Sequence, residues 1–399
     1  MFGDTPLIMI EDQQGLDDLV DRLKSAPVLG IDTESDSFYS YREKVCLIQL
    51  SDLEADYIVD PLSVPDMSPL APILANPDVV KILHGADYDV VCLKRDFDFH
   101  IHGLFDTLIA AQMLGMPRIG LADLINRFFG HEIDKQYQRH DWSRRPLLPE
   151  HLDYARGDTH FLLALRELMT RQLVAAGRMR HMREECKLQE QREWVGRPFD
   201  PDGYLRMKKV DTLDDTGKRI LKRLYVYRDD TAKRLNRPVF KIIPDQVLVQ
   251  VAQAKPKNSN ALDKLFSSKS AMKRRHGQAL VKAVAEGAED DFKIPRVHRQ
   301  HKKKKKKPAG PRPRLTGKAA ERVLNELKSW RNKLIENKAL TPFTVASNGT
   351  LKAIASRRPY TLDELSTVPD VRAWQVQDFG DEILAVLDKV DPRKDQAGV

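Results

Sequence analysis

The chain has 399 residues, 41% hydrophobic and 31% charged, a balance that supports two to three folded domains and excludes a disordered or fibrous chain. No apolar run approaches the roughly 20 residues of a membrane span, the opening Met1-Phe-Gly-Asp-Thr-Pro6 lacks the basic start of a secretory signal, and Cys46, Cys92 and Cys186 fit neither a disulfide framework nor a zinc-ligand spacing, so a reducing cytoplasm is the expected location. The formal charge of +8 is uneven: residues 1–195 carry 21 basic and 33 acidic side chains, 196–295 carry 22 and 13, 296–318 carry 11 and none, and 319–399 carry 12 of each, which suggests that one part gathers cations and another grips a polyanion.

In chain order, 13–25 has the spacing of a short amphipathic helix, and 27–32 is an apolar run of strand length ending on Asp32-Thr-Glu34. Period-two geometry points Asp32 and Glu34 to the same side. Runs 45–50 and 55–60, separated by polar turn residues, predict a meander built on that strand. A helix near 68–74 follows, then a strand over 79–84 and a helix from Gly85 to Leu93 that carries Asp89. His84, at the end of that strand, suits a hydrogen-bonded core histidine, and its role stays open. The run 103–108 leads into a helix over 109–114, and 121–129 predicts another. Residues 152–165 carry Tyr154 and Asp158 four apart, on one face of a predicted helix with Leu152, Ala155, Leu162, Leu163 and Leu165 as its apolar stripe. A meander followed by alternating strands and helices predicts a mixed sheet flanked by helices.

Four acidic side chains, Asp32, Glu34, Asp89 and Asp158, fall at a strand end, near the start of a helix after a second strand, and on a late helix. Gathered in one cleft they would repel one another unless cations neutralised them. Two divalent ions about 4 Å apart answer that need, and oxygen-only ligation suits Mg²⁺ or Mn²⁺ better than zinc. Such a pair activates a water and stabilises the leaving oxygen of a phosphodiester, while a nearby phenol can orient the water.

Asp32-x-Glu34, the 84–93 segment with Asp89, and Tyr154-x-x-x-Asp158 resemble the three exonuclease motifs of the DEDD superfamily, in the subclass whose third motif begins with Tyr. The stretch Asp141-Trp-Ser-Arg-Arg-Pro-Leu147 is similar to the one that precedes the third motif in the ribonuclease D family. The resemblance covers roughly residues 5–195. It implies an α/β, ribonuclease H-like exonuclease domain in which Asp32, Glu34, Asp89 and Asp158 hold two metals, Glu34 and Tyr154 serve catalysis, and Tyr154 positions the nucleophilic water. Asp106, with Thr107, also matches a family element, but it suits a helix N-cap as well as a substrate contact.

Residues 211–290 read as all-helical, with helices over 216–235, 244–254 and 272–286. They resemble the HRDC module through Tyr227-Arg-Asp-Asp-Thr-Ala-Lys-Arg-Leu-Asn-Arg-Pro238, Ile243-Pro-Asp-Gln-Val-Leu248 and His276-Gly-Gln-Ala-Leu280. The basic excess gives that resemblance physical content, since phosphate neutralisation is a major source of nucleic-acid affinity. Arg219, Lys222, Arg223, Arg228, Lys233, Arg234, Lys273, Arg274 and Arg275 are the candidate contacts. Residues 319–390 repeat the module, with helices over 321–338 and 379–390, a segment 342–348 that echoes the surroundings of Pro244, and a stretch 362–371 before the last helix.

The expected division is an exonuclease domain over 1–195, HRDC modules over 211–291 and 319–392, and a basic linker over 292–318 with six consecutive lysines at 302–307. That linker cannot bury apolar surface and should be extended, either touching phosphate or acting as a spacer. The resemblance implies a 3′-to-5′ exoribonuclease that releases 5′-mononucleotides from RNA 3′ ends, with tRNA precursors as substrates; the sequence makes no obligatory protein partner evident. An exonuclease that prefers DNA and a catalytically silent RNA-binding scaffold are the alternatives, and every expected acidic ligand is present.

Overall fold

The computed structural model describes residues 5–196, 198–266, 270–295, 317–338 and 340–390. Most of the basic linker, including the lysine tract at 302–307, lies outside them.

Six strands form one mixed sheet in the order β1-β4-β3-β2-β5-β6. They are β1 (Leu7–Ile10), β2 (Val28–Ser35), β3 (Val45–Ser51), β4 (Asp56–Val59), β5 (Val80–Leu83) and β6 (Leu104–Asp106). The expected meander is present, with β2 antiparallel to β3 and β3 antiparallel to β4, while β5 and β6 extend the sheet in parallel from β2. Strand β1 was not anticipated. Its four residues pair in parallel with β4, a long-range contact that local patterning does not announce.

The sheet has two distinct faces. Leu29, Ile31, Ile48, Leu50, Tyr57 and Val59 point into a large apolar core. The other face carries Gly30, Asp32 and Glu34 on β2, Leu47, Gln49 and Ser51 on β3, and Asp56, Ile58 and Asp60 at β4, as the register and alternation require.

Eight helices belong to this domain: α1 (Gln13–Leu23), α2 (Ala71–Ala75), α3 (Asp89–Phe97), α4 (Thr107–Met113), α5 (Leu121–Phe129), α6 (Pro149–His160), α7 (Leu162–Ala175) and α8 (Met179–Glu190). Helix α1 shows why: Asp12 accepts from the Gly15 amide at 2.8 Å as its N-cap, and Leu16, Leu19, Val20 and Leu23 bury one stripe. The single helix expected over 152–165 is two. The ladder breaks at Phe161, whose ring stacks on Phe129 with centroids 5.4 Å apart, and α7 starts again from its carbonyl. Leu162 and Leu165 are therefore core residues of α7, and α6 packs across β2, β3 and β4.

Among its described residues the C-terminal half forms helices and no strand. Helices α9 (Asp215–Leu235), α10 (Val239–Ile242), α11 (Asp245–Ala254) and α12 (Ala271–Glu289) enclose a core of Ile220, Leu221, Leu224, Leu248, Val251 and Leu280. Helices α13 (Gly317–Lys338), α14 (Pro342–Val345), α15 (Asn348–Arg357), α16 (Leu362–Ser366) and α17 (Ala373–Val390) form the second bundle. Helix α15 was not expected; its Thr350, Leu351, Ile354 and Ala355 are buried.

The repeat extends to one side chain. Arg228 on α9 donates to the Ile243 carbonyl (3.0 Å) and to Asp245 (2.5 Å), and Arg331 on α13 donates to the Ala346 carbonyl (3.0 Å) and to Asn348 (2.9 Å). Partners 15 and 17 residues downstream in both copies show two versions of one bundle.

Both bundles dock on the sheet domain. Tyr41 donates to Asp229 at 3.0 Å, the Arg42 amide donates to Asn236 at 3.1 Å, and Lys241 lies 3.5 Å above the Tyr39 ring. On the other side Glu184 accepts from the Ala373 and Trp374 amides at the start of α17, and Glu185 accepts from Arg372 and the Trp374 indole. No helix of the described residues is long and apolar enough to cross a membrane, and the three cysteines are buried free thiols.

Candidate active site

The C-terminal end of β2 sets Asp32 and Glu34 on one face, and α6 lays Asp158 across them. Carboxylate oxygens of Asp32, Glu34 and Asp158 lie within 4.8 Å of one another. Two features hold α6 at that distance. Gly30, two residues before Asp32, leaves room for the helix: a Cβ there would sit 3.1 Å from the Thr159 carbonyl oxygen and 3.3 Å from Leu163. A buried polar network then clamps the helix laterally. Asp56 accepts from Arg156 Nε at 2.6 Å and lies 2.8 Å from His160 Nδ1, while Ser51 donates to Asp56 at 2.6 Å and meets the Thr159 hydroxyl at 2.8 Å. Burial alone would raise the Asp56 pKa, but the bonds from His160, Ser51 and Arg156 hold it below the ordinary carboxylate value.

Asp89 reaches the site from the far side of β2. Its carboxylate accepts from the Thr33 hydroxyl at 2.5 Å, so it stands beside the three converging groups and not within their cluster. Asp106 fixes the turn that delivers it, accepting from the Gly85 and Ala86 amides at 3.0 and 2.9 Å and capping α4 through the Leu108 and Ile109 amides. Asp106 is thus an N-cap that also shapes the second motif. His84 is a bonded core histidine: Nδ1 lies 2.9 Å from the Thr107 hydroxyl, which itself donates to the Leu83 carbonyl, and burial pushes the imidazole down to about 4.

The electrostatics match a site built for cations. Burial, then repulsion from Asp89, Asp158 and Glu34, raises Asp32 well above the usual range; burial, then Asp158 and Asp89, does the same to Glu34. Burial raises Asp89 to about 6, and burial with repulsion from Asp89 raises Asp158 to about 7. An all-oxygen set that strains against its own charge fits hard divalent cations. Asp32, Glu34 and Asp158, with Asp89 beside them, are the residues that could hold them.

Tyr154 stands one turn before Asp158. Its ring lies 5.9 Å from Trp142 and 6.0 Å from Tyr137, and burial plus the Asp158, Glu34 and Asp32 charges push its phenol far above its ordinary value. Trp142 is 1% exposed and packs with Leu47, Ile58 and Ala155. Arg145 pins the same stretch to the sheet, donating to both oxygens of Asp60 at 2.5 and 2.6 Å and to the Cys46 carbonyl at 3.0 Å.

The basic side chains of the first bundle divide into two groups. Arg228 is 4% exposed and bonded inside the bundle, so the expectation that it lies on a nucleic-acid face is corrected: it is a strut of the fold. Arg219 donates to the Phe292 carbonyl, Lys222 pairs with Asp202, Arg223 with Asp290 and Lys273 with Asp263. Arg274 is exposed. Lys233, Arg234 and Arg275 are exposed and make no ion pair among the described residues.

Sequence reasoning missed Gly30, Asp56, Arg156 and His160. Asp56 sat inside an apolar run that reads as a strand, and only the register reveals that α6 covers it.

Residues 7–174 match the model of the 3′-5′ exonuclease family, and 217–284 and 320–387 each match the HRDC domain. The chain is 33% identical over 259 residues to the exosome complex component 10 homolog of Caenorhabditis elegans, covering 64% of this chain and 30% of that protein. It is 28% identical over 385 residues to ribonuclease D of Gluconacetobacter diazotrophicus, covering 96% of this chain and 93% of that one. The crystal structure of the catalytic core of RRP6 from Trypanosoma brucei superposes with a TM-score of 0.66 at 30% identity, covering 71% of this chain and 80% of that chain. The chain spans about a third of the length of the exosome-component relatives it matches. Divalent-metal use is a property that the exonuclease family implies, and the acidic cluster agrees with it. Residues 7–174 are thus a domain of the 3′-5′ exonuclease family followed by two HRDC domains, and along nearly its whole length the chain is similar to ribonuclease D.

Proposed function

We propose that the chain is a 3′-to-5′ exoribonuclease that hydrolyses RNA 3′ ends to 5′-mononucleotides, in tRNA 3′ maturation or RNA turnover. The observation that carries this reading is the convergence of Asp32, Glu34 and Asp158 within 4.8 Å, with Tyr154 on the same helix as Asp158. The RNA nucleases among the relatives support ribose over deoxyribose as the substrate class. In this reading residues 1–195 do the chemistry, the helical domains over 211–291 and 319–392 hold the substrate, and 292–318 links them.

Asp32, Glu34, Asp89 and Asp158 would hold two Mg²⁺ or Mn²⁺ ions, giving up the protons that burial and mutual repulsion favour. Bound there, the ions supply the lowered pKa of the attacking water and the stabilisation of the leaving oxygen. The rest falls to the chain. Tyr154 keeps its proton, so its phenol orients the attacking water by hydrogen bonding and does not serve as a base. Packing against Trp142 and Tyr137 fixes that ring, and the clamp on α6 holds Asp158 in register with β2. Exposed Lys233, Arg234 and Arg275 are the phosphate contacts in the first bundle.

The test is degradation of 3′-labelled and 5′-labelled single-stranded RNA with Mg²⁺ or Mn²⁺, beside a matching DNA oligomer, an EDTA control and Asp158→Ala. Mononucleotides should leave the 3′ end of RNA, and both controls should abolish their release. Tight RNA binding without cleavage in any metal would overturn the reading, and faster DNA degradation would overturn the RNA preference.

A further inference from the structure

We infer that Gln49 is a positioning residue for Asp32: when Asp32 ligates a metal, the Gln49 side-chain amide becomes the donor that orients its carboxylate, a bond not formed in this structure. This rests on the metal-site reading above and names a residue that reading does not use.

Three observations meet at this side chain. Gln49 pairs directly with Asp32 in the antiparallel register of β2 and β3, and residues so paired point to the same face with Cβ atoms about 5 Å apart. Gln49 has no exposed surface at all. Neither atom of its amide, oxygen or nitrogen, has a hydrogen-bond partner among the described residues. Its neighbours along β3 on that face are accounted for: Leu47 packs with Ala155, and Ser51 bonds Thr159 and Asp56. On its other side, β4 presents Ile58. Asp32 is thus the polar side chain directly across the strand.

A buried amide without partners is costly to keep, and an apolar side chain of similar shape would fill the slot as well or better. The amide gains a role once Asp32 is ionised and ligating. A ligating carboxylate has lone pairs to spare, and a donor aimed at them fixes its orientation. The chemistry of the slot also favours an amide over a charged group. A lysine would place a competing cation among Asp32, Glu34, Asp89 and Asp158, and a glutamate would add a fifth negative charge. An amide donates and leaves the charge of the site unchanged.

The test uses the full chain with Gln49→Met and, as a second shape, Gln49→Leu. Mn²⁺ binding is read by the loss of the free-ion paramagnetic resonance signal, and thermal unfolding is followed in EDTA. The expected result is a 10- to 100-fold weaker Mn²⁺ affinity with a metal-free midpoint equal to or above that of the parent. A packing role would instead lower the midpoint and leave the affinity within twofold of the parent, which would overturn the inference; unchanged affinity with an unchanged midpoint would overturn it equally. A parent chain that binds Mn²⁺ but leaves RNA intact sinks the nuclease reading alone, because the Gln49 comparison is made on binding. A parent chain that binds no Mn²⁺ sinks both.

Discussion

Asp56 of β4 and Arg156 of α6 form an ion pair at 2.6 Å that joins the sheet to the helix carrying both Tyr154 and Asp158. Both side chains are nearly inaccessible, so the pair cannot be opened without leaving a buried charge. Asp56→Asn should therefore cost about 3–5 kcal/mol, which for a domain of this size corresponds to a fall in Tm on the order of 10 °C. Because the Asp56 pKa is held below its ordinary value, the stabilisation is present above that value and is lost as pH falls through the folded pKa. Thermal unfolding of the parent and Asp56→Asn should converge at strongly acidic pH. A constant difference at every pH would contradict the assignment.

Gly30→Val separates local propensity from packing. A β-branched residue suits a strand, yet its Cβ would lie 3.1 Å from the Thr159 carbonyl oxygen, and the branch methyls would press further into α6. The helix must then lift, at about 1–3 kcal/mol of overpacking cost, and carry Asp158 away from Asp32. A displacement near 1 Å can cost about 100-fold in rate. RNA hydrolysis at saturating metal should fall by that order while the circular dichroism spectrum is kept. Activity within twofold of the parent would show that α6 tolerates the shift.

Tyr154→Phe should keep the packing against Trp142 and Tyr137 and lose only the hydroxyl. General acid–base or water-orienting groups contribute typically 10²- to 10⁴-fold, and a group that only orients belongs at the lower end. A kcat decrease of about 100-fold with unchanged Mn²⁺ affinity is expected. Because the phenol stays protonated far above neutrality, the pH–rate profile from pH 6 to 9 should keep its shape in the variant.

The acidic cluster gives the metal-free chain an unusual pH dependence. Asp158 and Asp89 are raised to about 7 and about 6 from an ordinary value of 3.8. The folded state therefore binds protons more tightly than the unfolded one, and the resulting stability is full below about pH 4 and lost as pH rises to about 7. In EDTA, Asp158→Asn should gain stability relative to the parent across that window. Added Mn²⁺ should reverse the order, raising the parent Tm increasingly from pH 6 to 8 and the variant Tm little. A parent-minus-variant difference that stays flat with pH would contradict the raised proton affinity.

Much of this site was legible because its parts are local. Asp32 and Glu34 close an apolar run, Asp89 follows a strand, and Tyr154 and Asp158 share four-residue spacing, so each motif carries its own element. What the residues could not announce are contacts across the sheet. Strand β1 exists through pairing with β4, Asp56 is a clamp only because α6 covers β4, and Gly30 matters because a helix passes above it. The helix over 152–165 was misread for a related reason: its apolar spacing runs on unbroken, and the turn at Phe161 comes from tertiary packing on Phe129. Arg228 illustrates the same limit in the helical half. Composition places it among basic neighbours, and only its partner Asp245, seventeen residues on, removes it from the surface.

That distinction yields the last expectation. Lys233, Arg234 and Arg275 are exposed, whereas Arg228 is buried and bonded to Ile243 and Asp245. If the three exposed cations each meet a phosphate, replacing all three with Ala should reduce the slope of log K against log salt by about 2, at roughly 0.7 per phosphate on a single strand. Tm should change little, since none of the three holds the bundle together. Arg228→Ala should do the opposite, lowering Tm by leaving the Ile243 carbonyl without its donor while the salt slope of the folded protein stays that of the parent. RNA binding measured from 50 to 300 mM KCl, with unfolding followed on the same samples, reads both quantities. A salt slope unchanged by the triple substitution would move the RNA-binding surface away from α9 and α12, toward the basic segment 296–318.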